Sequence, residues 1–320
     1  MTGETDLLER PAGGHHARQA NGADTAITIL VPTFRDDVSP LLRELGACED
    51  AAHTELVVFD DGSGNAERLD TLRAELASYP GKARLIASPI NLGRASARNA
   101  LLTAAETEWV ILLDADMVPD DPRFLTRYRQ SIAALAKPGL ICGGGSTKRV
   151  NSGEHTALHL AQSRASECIA AAARNRDAGR FVFTGNIAVH RDVFRAVPLD
   201  SGYSGWGWED VDWGLSVVEH FPVRHIDNTA THLGLMDDAA LLAKYATSGA
   251  NFARLARRHP EAAASMPLFK AARALRVLGI LRAPLSSLMH RLARQRGAAL
   301  SVRLFCLKLF RALVYSRALS

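Results

Sequence analysis

The sequence predicts an α/β fold with a mostly parallel sheet, followed by a C-terminal helical extension. Three observations predict it. Short β-branched runs alternate with segments of helical spacing over residues 26 to 116, the chain after residue 238 is helical in pattern, and 47% of the 320 residues are hydrophobic. Strands and helices that alternate at these lengths favour a parallel sheet with right-handed crossovers. A chain of this length forms one large domain or two closely packed ones.

The first half of the chain supplies the alternating elements in order. The apolar runs "AITILV" and "ELVVF" end at Pro32 and at "DDGSGN", as buried parallel strands do. Between them, "SPLLRELGACEDA" has helical spacing, with Ser39 as the expected N-cap and Pro40 at the first helical position. After them, "LDTLRAELASY" predicts a helix, "ARLIAS" a strand, "GRASARNALLTAAE" a helix and "WVILLDAD" a strand.

The second half is less regular. "RFLTRYRQSIAALA" predicts a helix, "GLICGGGS" a strand, residues 156 to 174 one long Ala-rich helix, and "RFVFTGNIAV" another strand. A Trp-rich segment then opens a helix near "EDVDWGLSVVEH", and "VRHIDNTATHLG" predicts a final strand or loop. We therefore expect a disordered leader over residues 1–25, two subdomains over 26–120 and 121–237, and a basic helical extension over 238–320.

Charge is distributed unevenly along the chain. Residues 262 to 320 contain eleven Lys or Arg and no Asp or Glu, so the preceding residues are net acidic. Leu, Phe and Val are interleaved with these cations, which favours docking on an anionic membrane surface. Packing of the same segment on the protein itself is the alternative. Nucleic-acid binding is disfavoured, because the apolar content exceeds what phosphate contacts need.

The expected compartment is the cytoplasm, with the protein peripheral on the inner face of the plasma membrane. Arginine and lysine interrupt every late apolar run before it reaches the length of a membrane span. The N-terminus has no apolar core of signal-peptide length. Four cysteines without paired spacing favour a reducing compartment over a disulfide framework or a zinc site.

Acidic residues follow two of the predicted strands, at the sheet edge where ligands bind in such folds. In "LLDADMVPD", Asp114 and Asp116 share a face if the extended geometry continues, and could hold a hard divalent cation. In "VVFDDGSGN", a carboxylate of Asp60 or Asp61 could accept a hydrogen bond from the N–H of a base. An acidic turn at the end of a strand is the alternative for both pairs.

The segment "NLGRASARNALL" places Gly93 at a turn and two arginines in the first turns of a helix. A helix N-terminus with guanidinium groups is suited to phosphate. The alternative is a structural arginine that pairs with nearby acids, which we favour for Arg98.

The segment "GYSGWGWEDVDWG" holds three of the four tryptophans and three carboxylates within eight residues. Aromatic surroundings raise the free energy of an ionised carboxylate, so such clusters are typical of a cation site or a catalytic site. The alternative is a hydrophobic anchor that opens a helix, with the acids stabilised by the helix dipole. For Asp212 and Trp213 we favour this supporting role.

Together these segments resemble a known family. "VPTFRD", "VVFDDGS", "NLGRASARN" and "WVILLDADMVPD", in this order and spacing, resemble the nucleotide-sugar half of family two glycosyltransferases with the GT-A fold. "GNIAVHRDVF" and "GWGWEDVDWG" resemble the acceptor half, particularly of the galactosyl- and N-acetylgalactosaminyltransferase-like branch. The resemblance covers about residues 26 to 235. It implies a Rossmann-like sheet with a nucleotide-sugar subdomain over 26–120 and an acceptor-binding, catalytic subdomain over 121–237.

The resemblance also implies an activity and a donor site. The activity would be a metal-dependent, inverting transfer of a hexose or N-acetylhexosamine from a UDP-sugar to a hydroxyl of a glycan or lipid-linked acceptor, in polysaccharide or cell-envelope assembly. Asp61 would contact uracil, and Asp114 would lie toward the ribose. The donor site would comprise Pro32, Thr33, Phe34, Arg35, Asp60, Asp61, Asn91, Gly93, Arg94, Asp114, Ala115 and Asp116.

The metal and acceptor sites are implied in the same way. Asp114, Asp116 and His232 of "THLG" would hold Mn²⁺ or Mg²⁺, and an imidazole among oxygen ligands suits manganese somewhat better. Asp210 would be the base that deprotonates the acceptor hydroxyl, and Glu209 would hold a hydroxyl. The remaining acceptor residues would be Gly185, Asn186, Trp206, Gly207 and Trp208, the two tryptophans by stacking on a pyranose.

Two other functions fit parts of the pattern. A nucleotidyltransferase also uses acidic strand ends, but it leaves Asp210 without a role. A catalytically silent glycan-binding or membrane scaffold would bind a sugar nucleotide without cleaving it.

Overall fold

The computed structural model describes residues 26–151 and 153–319, so the leader expected over residues 1–25 lies outside the described residues. Ten strands form two sheets in this part of the chain. In chain order they are β1 (Ile27–Thr33), β2 (Thr54–Asp60), β3 (Lys82–Ala87), β4 (Trp109–Leu113), β5 (Met117–Pro119), β6 (Leu140–Cys142), β7 (Gly145–Ser146), β8 (Asn186–His190), β9 (Val223–His225) and β10 (Ala230–His232).

The larger sheet has seven strands in the order β3-β2-β1-β4-β8-β6-β9. Strand β8 is antiparallel to both of its neighbours, and the other pairs are parallel. The predicted mostly parallel sheet is therefore confirmed. The strand order reverses between β1 and β4, and folds of this kind bind ligands at the carboxyl ends of the strands at such a point.

The central strands are apolar on both faces, as strands covered by helices on both sides must be. Strand β1 continues through Pro32, where the sequence predicts its end. It continues because the carbonyl oxygen of Thr33 still accepts the backbone N–H of Asp61 at 2.8 Å. This extra length carries Thr33 to the edge of the sheet where the site lies.

Helices cover both faces of the larger sheet. Before residue 220 they are α1 (Ser39–Gly46), α2 (Ala66–Leu76), α3 (Arg94–Ala104), α4 (Phe124–Ala133), α5 (Ala157–Ser166), α6 (Ala171–Arg174), α7 (Arg191–Ala196) and α8 (Glu209–Val218). Ser39 is the first residue of α1 and not its N-cap, which is Val38. The single Ala-rich helix expected over 156–174 is two helices, separated by residues 167–170.

Two apolar clusters lie on opposite faces of this sheet. One joins α1 and α4 to the strands through residues such as Leu41 and Tyr128, and the other joins α3 and α8 through Leu101 and Trp213. Trp213 is buried, stacks on Phe194 with ring centroids 4.8 Å apart, and donates its indole N–H to the Val197 oxygen at 2.8 Å. Its position agrees with the supporting role expected for it.

The smaller sheet has the order β5-β10-β7. Strand β10 is antiparallel to β5, in a register that places His232 opposite Met117. The N–H of Leu233 also donates to the Asp116 oxygen at 2.8 Å. The segment "THLG" is thereby held against the end of β4, although more than a hundred residues separate them in the chain.

From residue 238 onward the chain is helical. The elements are α9 (Asp238–Thr247), α10 (Gly249–Arg258), α11 (Pro260–Ser265), α12 (Pro267–Ala274), a 3₁₀ segment (Leu275–Leu281), α13 (Arg282–Arg294) and α14 (Leu300–Ala318). No helix in the described part of the chain has both the length and the hydropathy that crossing a bilayer requires.

The C-terminal helices share their buried faces with the rest of the chain. Leu158 of α5 belongs to one apolar cluster with Leu307, and Val211 of α8 belongs to another with Tyr315. The buried guanidinium of Arg303 donates to Asp238 at 2.5 Å, so one of the eleven late cations is used inside the fold. For this buried face, the structure supports packing on the protein.

Candidate active site

A cavity of about 490 Å³ lies where β1 and β4 end. Its size is typical of a small-molecule site. It brings together fifteen of the residues expected from the sequence. They are Pro32, Thr33, Phe34, Asp61, Asn91, Gly93, Arg94, Asp114, Ala115, Asp116, Gly185, Asn186, Trp206, Asp210 and His232.

Five expected residues do not line this cavity: Arg35, Asp60, Gly207, Trp208 and Glu209. Arg35 has a φ of 64° and lies exposed, with its guanidinium 4.9 Å from the ring centroid of Phe34. Asp60 is buried beneath the site, where its Oδ2 accepts the backbone N–H and the hydroxyl of Ser63, both at 2.9 Å. The left-handed backbone at Arg35 and the hydrogen bonds between Asp60 and Ser63 direct these two side chains away from the cavity.

Asp61 lines the cavity and holds the loop that follows β3. Its carboxylate accepts the backbone N–H groups of Leu92 at 2.7 Å and Gly93 at 3.0 Å, and the side-chain amide of Asn91 at 3.1 Å. Three donors therefore fix the turn that begins α3 against the end of β2. Any base contact by Asp61 would use the lone pairs that these donors leave free.

Of the two acids that follow β4, Asp114 pairs with arginines, whereas Asp116 pairs with a histidine. Asp114 pairs with Arg98, whose guanidinium is buried, and its Oδ2 lies 3.7 Å from the Arg94 guanidinium. This geometry agrees with the structural pairing favoured for Arg98. A Cβ at Gly185 would lie 3.0 Å from the Asp114 carboxylate, so the glycine allows close packing here.

Asn186 lines the cavity, but neighbours occupy its polar groups. Its Oδ1 accepts the hydroxyl of Tyr128 at 2.6 Å, and its Nδ2 donates to the backbone oxygens of Gly144 and Asn228, each at 2.9 Å. An amide with these bonds holds three segments of backbone together. It has little capacity left to bind an acceptor, in contrast to the role expected from the sequence.

Asp116 forms a pair with His232 in the cavity wall, with Asp116 Oδ2 3.2 Å from His232 Nε2. Burial alone would raise the pKa of Asp116, but the hydrogen bond and charge of His232 outweigh it, so the pKa is lowered. Burial likewise opposes the charged form of His232, but Asp116 and then Glu167 raise the pKa of the imidazole.

The Asp116 and His232 pair fits a divalent cation. Adjacent ligands of an octahedral cation, each about 2.1 Å from it, lie about 3 Å apart. Gly234 leaves room beside the pair, since a Cβ there would lie 2.0 Å from Asp116 Oδ2. Across residues 26–151 and 153–319, no group of three or more His, Cys, Asp or Glu completes a metal site. Further ligands would have to come from a bound molecule or water.

Asp210 lies at the other end of the cavity, in the first turn of α8. Its Oδ1 accepts the hydroxyl of Thr184 at 2.8 Å. Burial, followed by the charge of Glu209, raises the pKa of Asp210 to about 6, although Arg98 and Arg94 act in the opposite direction. A carboxylate with such a pKa is suited to accept a proton near neutral pH.

Glu209 is buried behind the cavity wall. Its Oε1 accepts the Nε–H of Arg94 at 3.2 Å, which links the start of α8 to the start of α3. Its Oε2 is buried and has no hydrogen-bond partner within the described residues. That oxygen is the one acceptor of Glu209 that a hydroxyl could occupy.

The two tryptophans before α8 have different surroundings. Trp206 lines the cavity, beside Lys244 and with its ring 5.4 Å from that of Tyr245. Trp208 packs instead on Phe252 at 4.7 Å and donates its indole N–H to the Tyr315 hydroxyl at 3.1 Å. Only Trp206 is placed to contact a ligand, in contrast to the expectation for both rings.

The chain turns sharply between these two tryptophans. Gly207 has a φ of 91° and Trp208 a φ of 79°, so two successive residues adopt the left-handed region before α8 begins at Glu209. This backbone sends Trp208 toward the C-terminal helices, whereas Trp206 stays at the cavity. The positive φ values cannot be read from the apolar pattern, although Gly207 is the residue type that permits one of them.

The cavity also contains residues that sequence reasoning did not identify, including His159, Glu167 and Lys244. The N–H of Met236 donates to His159 Nδ1 at 2.8 Å, so the ring proton lies on Nε2. Burial, and then His232 and Lys244, lower the pKa of His159 to about 4, which keeps the ring neutral. These residues come from α5, α9 and the segment between α5 and α6, which reach the cavity only through long-range packing and carry no local motif.

The family model described as glycosyl transferase family 2 matches residues 28–196. An N-acetylglucosaminyltransferase of Bradyrhizobium elkanii is 27% identical over 103 residues, which are 31% of this chain and 56% of that protein. The chain therefore spans about half the length of the curated relative it matches.

Three solved structures have a similar fold. The mannosyltransferase PcManGT from Pyrobaculum calidifontis, in complex with GDP-Man and Mn²⁺, has a TM-score of 0.55 and 17% identity, covering 91% of this chain and 86% of that one. S. aureus TarS 1-349 with UDP-GlcNAc has a TM-score of 0.50 and 13% identity, covering 92% and 91%. The glucosyl-3-phosphoglycerate synthase from Mycobacterium tuberculosis with Mg²⁺ and UDP has a TM-score of 0.50 and 15% identity, covering 74% and 80%. At such identities the likeness concerns the fold alone.

Proposed function

Because the chain belongs to glycosyl transferase family 2, we propose that it moves a hexose or N-acetylhexosamine from a UDP-sugar to a hydroxyl group of a glycan or glycolipid acceptor. The transfer inverts the configuration at the anomeric carbon of the sugar, and it uses a divalent cation. One observation carries the proposal: the Asp116 and His232 pair lines the same cavity as Asp210. A cation site and a carboxylate base are thus presented to one bound molecule.

The donor is proposed to lie along the ends of β1 and β4. The three structures of similar fold were solved with a nucleotide or nucleotide sugar, and two of them with Mn²⁺ or Mg²⁺. The relative from Bradyrhizobium elkanii supports an N-acetylhexosamine as the transferred sugar. We also propose that the chain belongs to the galactosyl- and N-acetylgalactosaminyltransferase-like branch of the family. This assignment depends only on the segments "GNIAVHRDVF" and "GWGWEDVDWG".

The residues at the β4 end would hold the cation and the diphosphate. Asp116 and His232 would be the protein ligands, whereas Asp114, the third ligand that the family resemblance implies, pairs with Arg98. Arg94 lies close enough to Asp114 to approach the same phosphates. When bound, the cation stabilises the negative charge on the leaving diphosphate as a Lewis acid. His159 lines the same cavity, and its Nε2–H would donate to a diphosphate or sugar oxygen.

Asp210 would act as the base. The acceptor oxygen attacks the anomeric carbon while the bond from that carbon to the diphosphate oxygen breaks on the opposite side. The acceptor proton would pass to Oδ2 of Asp210, because Oδ1 already accepts the hydroxyl of Thr184. Proton transfer by a positioned group of this kind contributes about 10²- to 10⁴-fold to the rate.

The wall beside Asp210 is suited to a sugar. The ring of Trp206 offers an apolar face, and the Lys244 ammonium lies 5.6 Å from its centroid. A tryptophan face packs on the C–H side of a pyranose and excludes water, which limits hydrolysis of the donor. The buried Oε2 of Glu209 would accept a sugar hydroxyl once the wall adjusts.

The donor site is tested by binding. We expect UDP to raise the Tm of the full chain in the presence of Mn²⁺, and to do so more than GDP or dTDP. Asp116→Ala should abolish the manganese-dependent part of the shift, whereas the exposed surface variant Asp70→Ala should preserve it. Equal shifts with and without Mn²⁺, or in both variants, would contradict the proposed site.

The reaction class is tested by the products. Incubation with UDP-GlcNAc, UDP-GalNAc or UDP-galactose and Mn²⁺ should release UDP, slowly with water and faster with an acceptor. Pyrophosphate formed from UTP and a sugar phosphate would instead indicate a nucleotidyltransferase. Saturable binding of every donor without any UDP release would indicate a silent scaffold.

A further inference from the structure

Large apolar side chains are exposed on the C-terminal helices. The structure exposes thirteen such side chains in its described residues, and eight of them fall within residues 277–305. Val277 is 84% exposed and Ile280 is 91% exposed. The eight are Val277, Ile280, Leu281, Leu288, Leu292, Leu300, Val302 and Phe305. Single exposed apolar residues are ordinary, but a concentration of them marks an interaction surface.

The backbone presents part of this set as a protruding turn. The 3₁₀ segment before α13 breaks at Gly279, which has a φ of 50° and a ψ of −121°, and the break places Val277 and Ile280 in solvent. Leu281, Leu288 and Leu292 then follow at helical spacing on one side of α13. The buried residues of this helix, such as Met289 and Ala293, lie on a different side. The exposed leucines are therefore not an extension of the core.

Cations surround the exposed apolar residues. Lys270, Arg273 and Arg276 precede the turn and are exposed. Arg291 and Arg294 are exposed and line a surface hollow with Arg296, whose Nε lies 3.9 Å from Asp238, and with Asp237, the N-cap of α9. Arg303 and Arg311 take no part, because one pairs with Asp238 and the other lies against the rings of Trp208 and Tyr245.

We propose that this surface, formed by residues 270–305, docks on an anionic lipid bilayer. Val277, Ile280 and Leu281 would enter the boundary between headgroups and acyl chains, while the exposed cations contact the lipid phosphates. The charge of the surface favours an anionic bilayer over a second copy of the chain. Residues 262–320 contain no acid, so the same surface of a second copy would repel it in a symmetric dimer, and a nucleic acid would leave the apolar turn in water. The contact uses no residue of the cavity, so it does not rest on the proposed transfer reaction.

Vesicle sedimentation of the full chain tests the docking. We expect the protein to sediment with vesicles of phosphatidylcholine and phosphatidylglycerol and to remain in solution with phosphatidylcholine alone. The double variant Val277→Ser with Ile280→Ser should lower the partition coefficient by about tenfold or more. Both side chains are exposed, so its Tm should equal that of the wild type. The matched control, Val218→Ser, removes an exposed apolar side chain outside the surface and should bind normally.

The cationic contribution is tested in the same assay. Arg273→Gln with Arg276→Gln should weaken binding to the anionic vesicles by about tenfold, and raising the salt concentration should weaken the wild type similarly. Lys82→Gln with Lys137→Gln, which removes two exposed cations elsewhere, should change binding less than twofold. The proposal is overturned if the wild type does not bind anionic vesicles, or if the arginine double variant and the lysine double variant bind them equally. It is also overturned if the Val277 and Ile280 double variant converts a dimer into monomers.

Discussion

At one end of the cavity Asp116 lies beside His232, whereas at the other end Asp210 lies beside Thr184 and Glu209. Burial acts on both carboxylates in the same direction, since it raises the pKa of each. The neighbours decide the outcome: a hydrogen-bonding imidazole lowers the pKa of Asp116, and a second carboxylate helps to raise that of Asp210 to about 6. One cavity therefore contains an acid that stays ionised and one that can exchange a proton near neutrality.

The largest expected effect comes from removing the carboxylate at the Asp210 end. Asp210→Asn keeps the shape of the side chain but cannot take up a proton, so kcat for sugar transfer should fall by about 10³-fold. Binding of UDP with Mn²⁺ should stay within about twofold, because the cation pair is untouched. Steady-state transfer assays and calorimetry measure the two quantities. Glu219→Gln, an exposed change at the far end of α8, is the control, and full activity of Asp210→Asn would refute its role.

The next effect concerns the Asp116 end. With two protein ligands only, Mn²⁺ should bind weakly to the free protein and much more tightly once UDP supplies diphosphate oxygens. Asp116→Ala should lower the affinity for Mn²⁺ in the presence of UDP by about 100-fold. Calorimetric titration of Mn²⁺ with and without UDP measures the coupling. Tight Mn²⁺ binding that is independent of UDP would point to a different metal site.

A smaller effect is expected from filling the space beside the cation pair. The Cβ of Gly234→Ala would lie 2.0 Å from Asp116 Oδ2, so the carboxylate or the "THLG" backbone must shift. We expect the Mn²⁺-dependent affinity for UDP to fall by about 10-fold. Gly297→Ala is the matched control, since a Cβ there meets no atom within 4 Å. Unchanged affinity in both variants would show that the pair tolerates displacement.

The smallest effect is a shift in pH dependence. The base must be deprotonated, and its pKa is about 6. Below about pH 6, kcat/KM should therefore rise about tenfold per pH unit, and it should level off above that value. Glu209→Gln removes a charge that raises the pKa of Asp210, so the rising limb should move to lower pH. Burial is the larger cause, so the apparent pKa should stay above that of an ordinary aspartate. If the pH profile of kcat/KM is the same in Glu209→Gln as in the wild type, Glu209 does not raise the pKa of Asp210.

The sequence predicts the elements whose signal is local. The apolar runs of β1, β2 and β4 and the helices between them follow from periodicity, and the acids at the ends of these strands follow from the chain order. The family resemblance supplied His232 and Asp210 as partners of this site. Their meeting with Asp116 in one cavity depends on the register between β10 and β5 and on the start of α8, which periodicity does not determine.

The errors have long-range or backbone causes. Trp208 was expected on the sugar, but two residues with positive φ send it toward the C-terminal helices. Asn186 was expected at the acceptor, but three backbone and side-chain partners occupy its amide. Lys244 went unidentified because it lies beyond residue 235, in a helix whose own pattern shows only amphipathic spacing.

The contact between Trp208 and Tyr315 joins the residue just before α8 to the last helix of the chain. Loss of the last helix would therefore affect the position of Asp210 in the first turn of α8. A premature stop codon after α13 would remove the support behind the first turn of α8 while sparing β1 and β4, along which the donor is proposed to lie. The shortened protein would then bind the proposed donor without transferring its sugar.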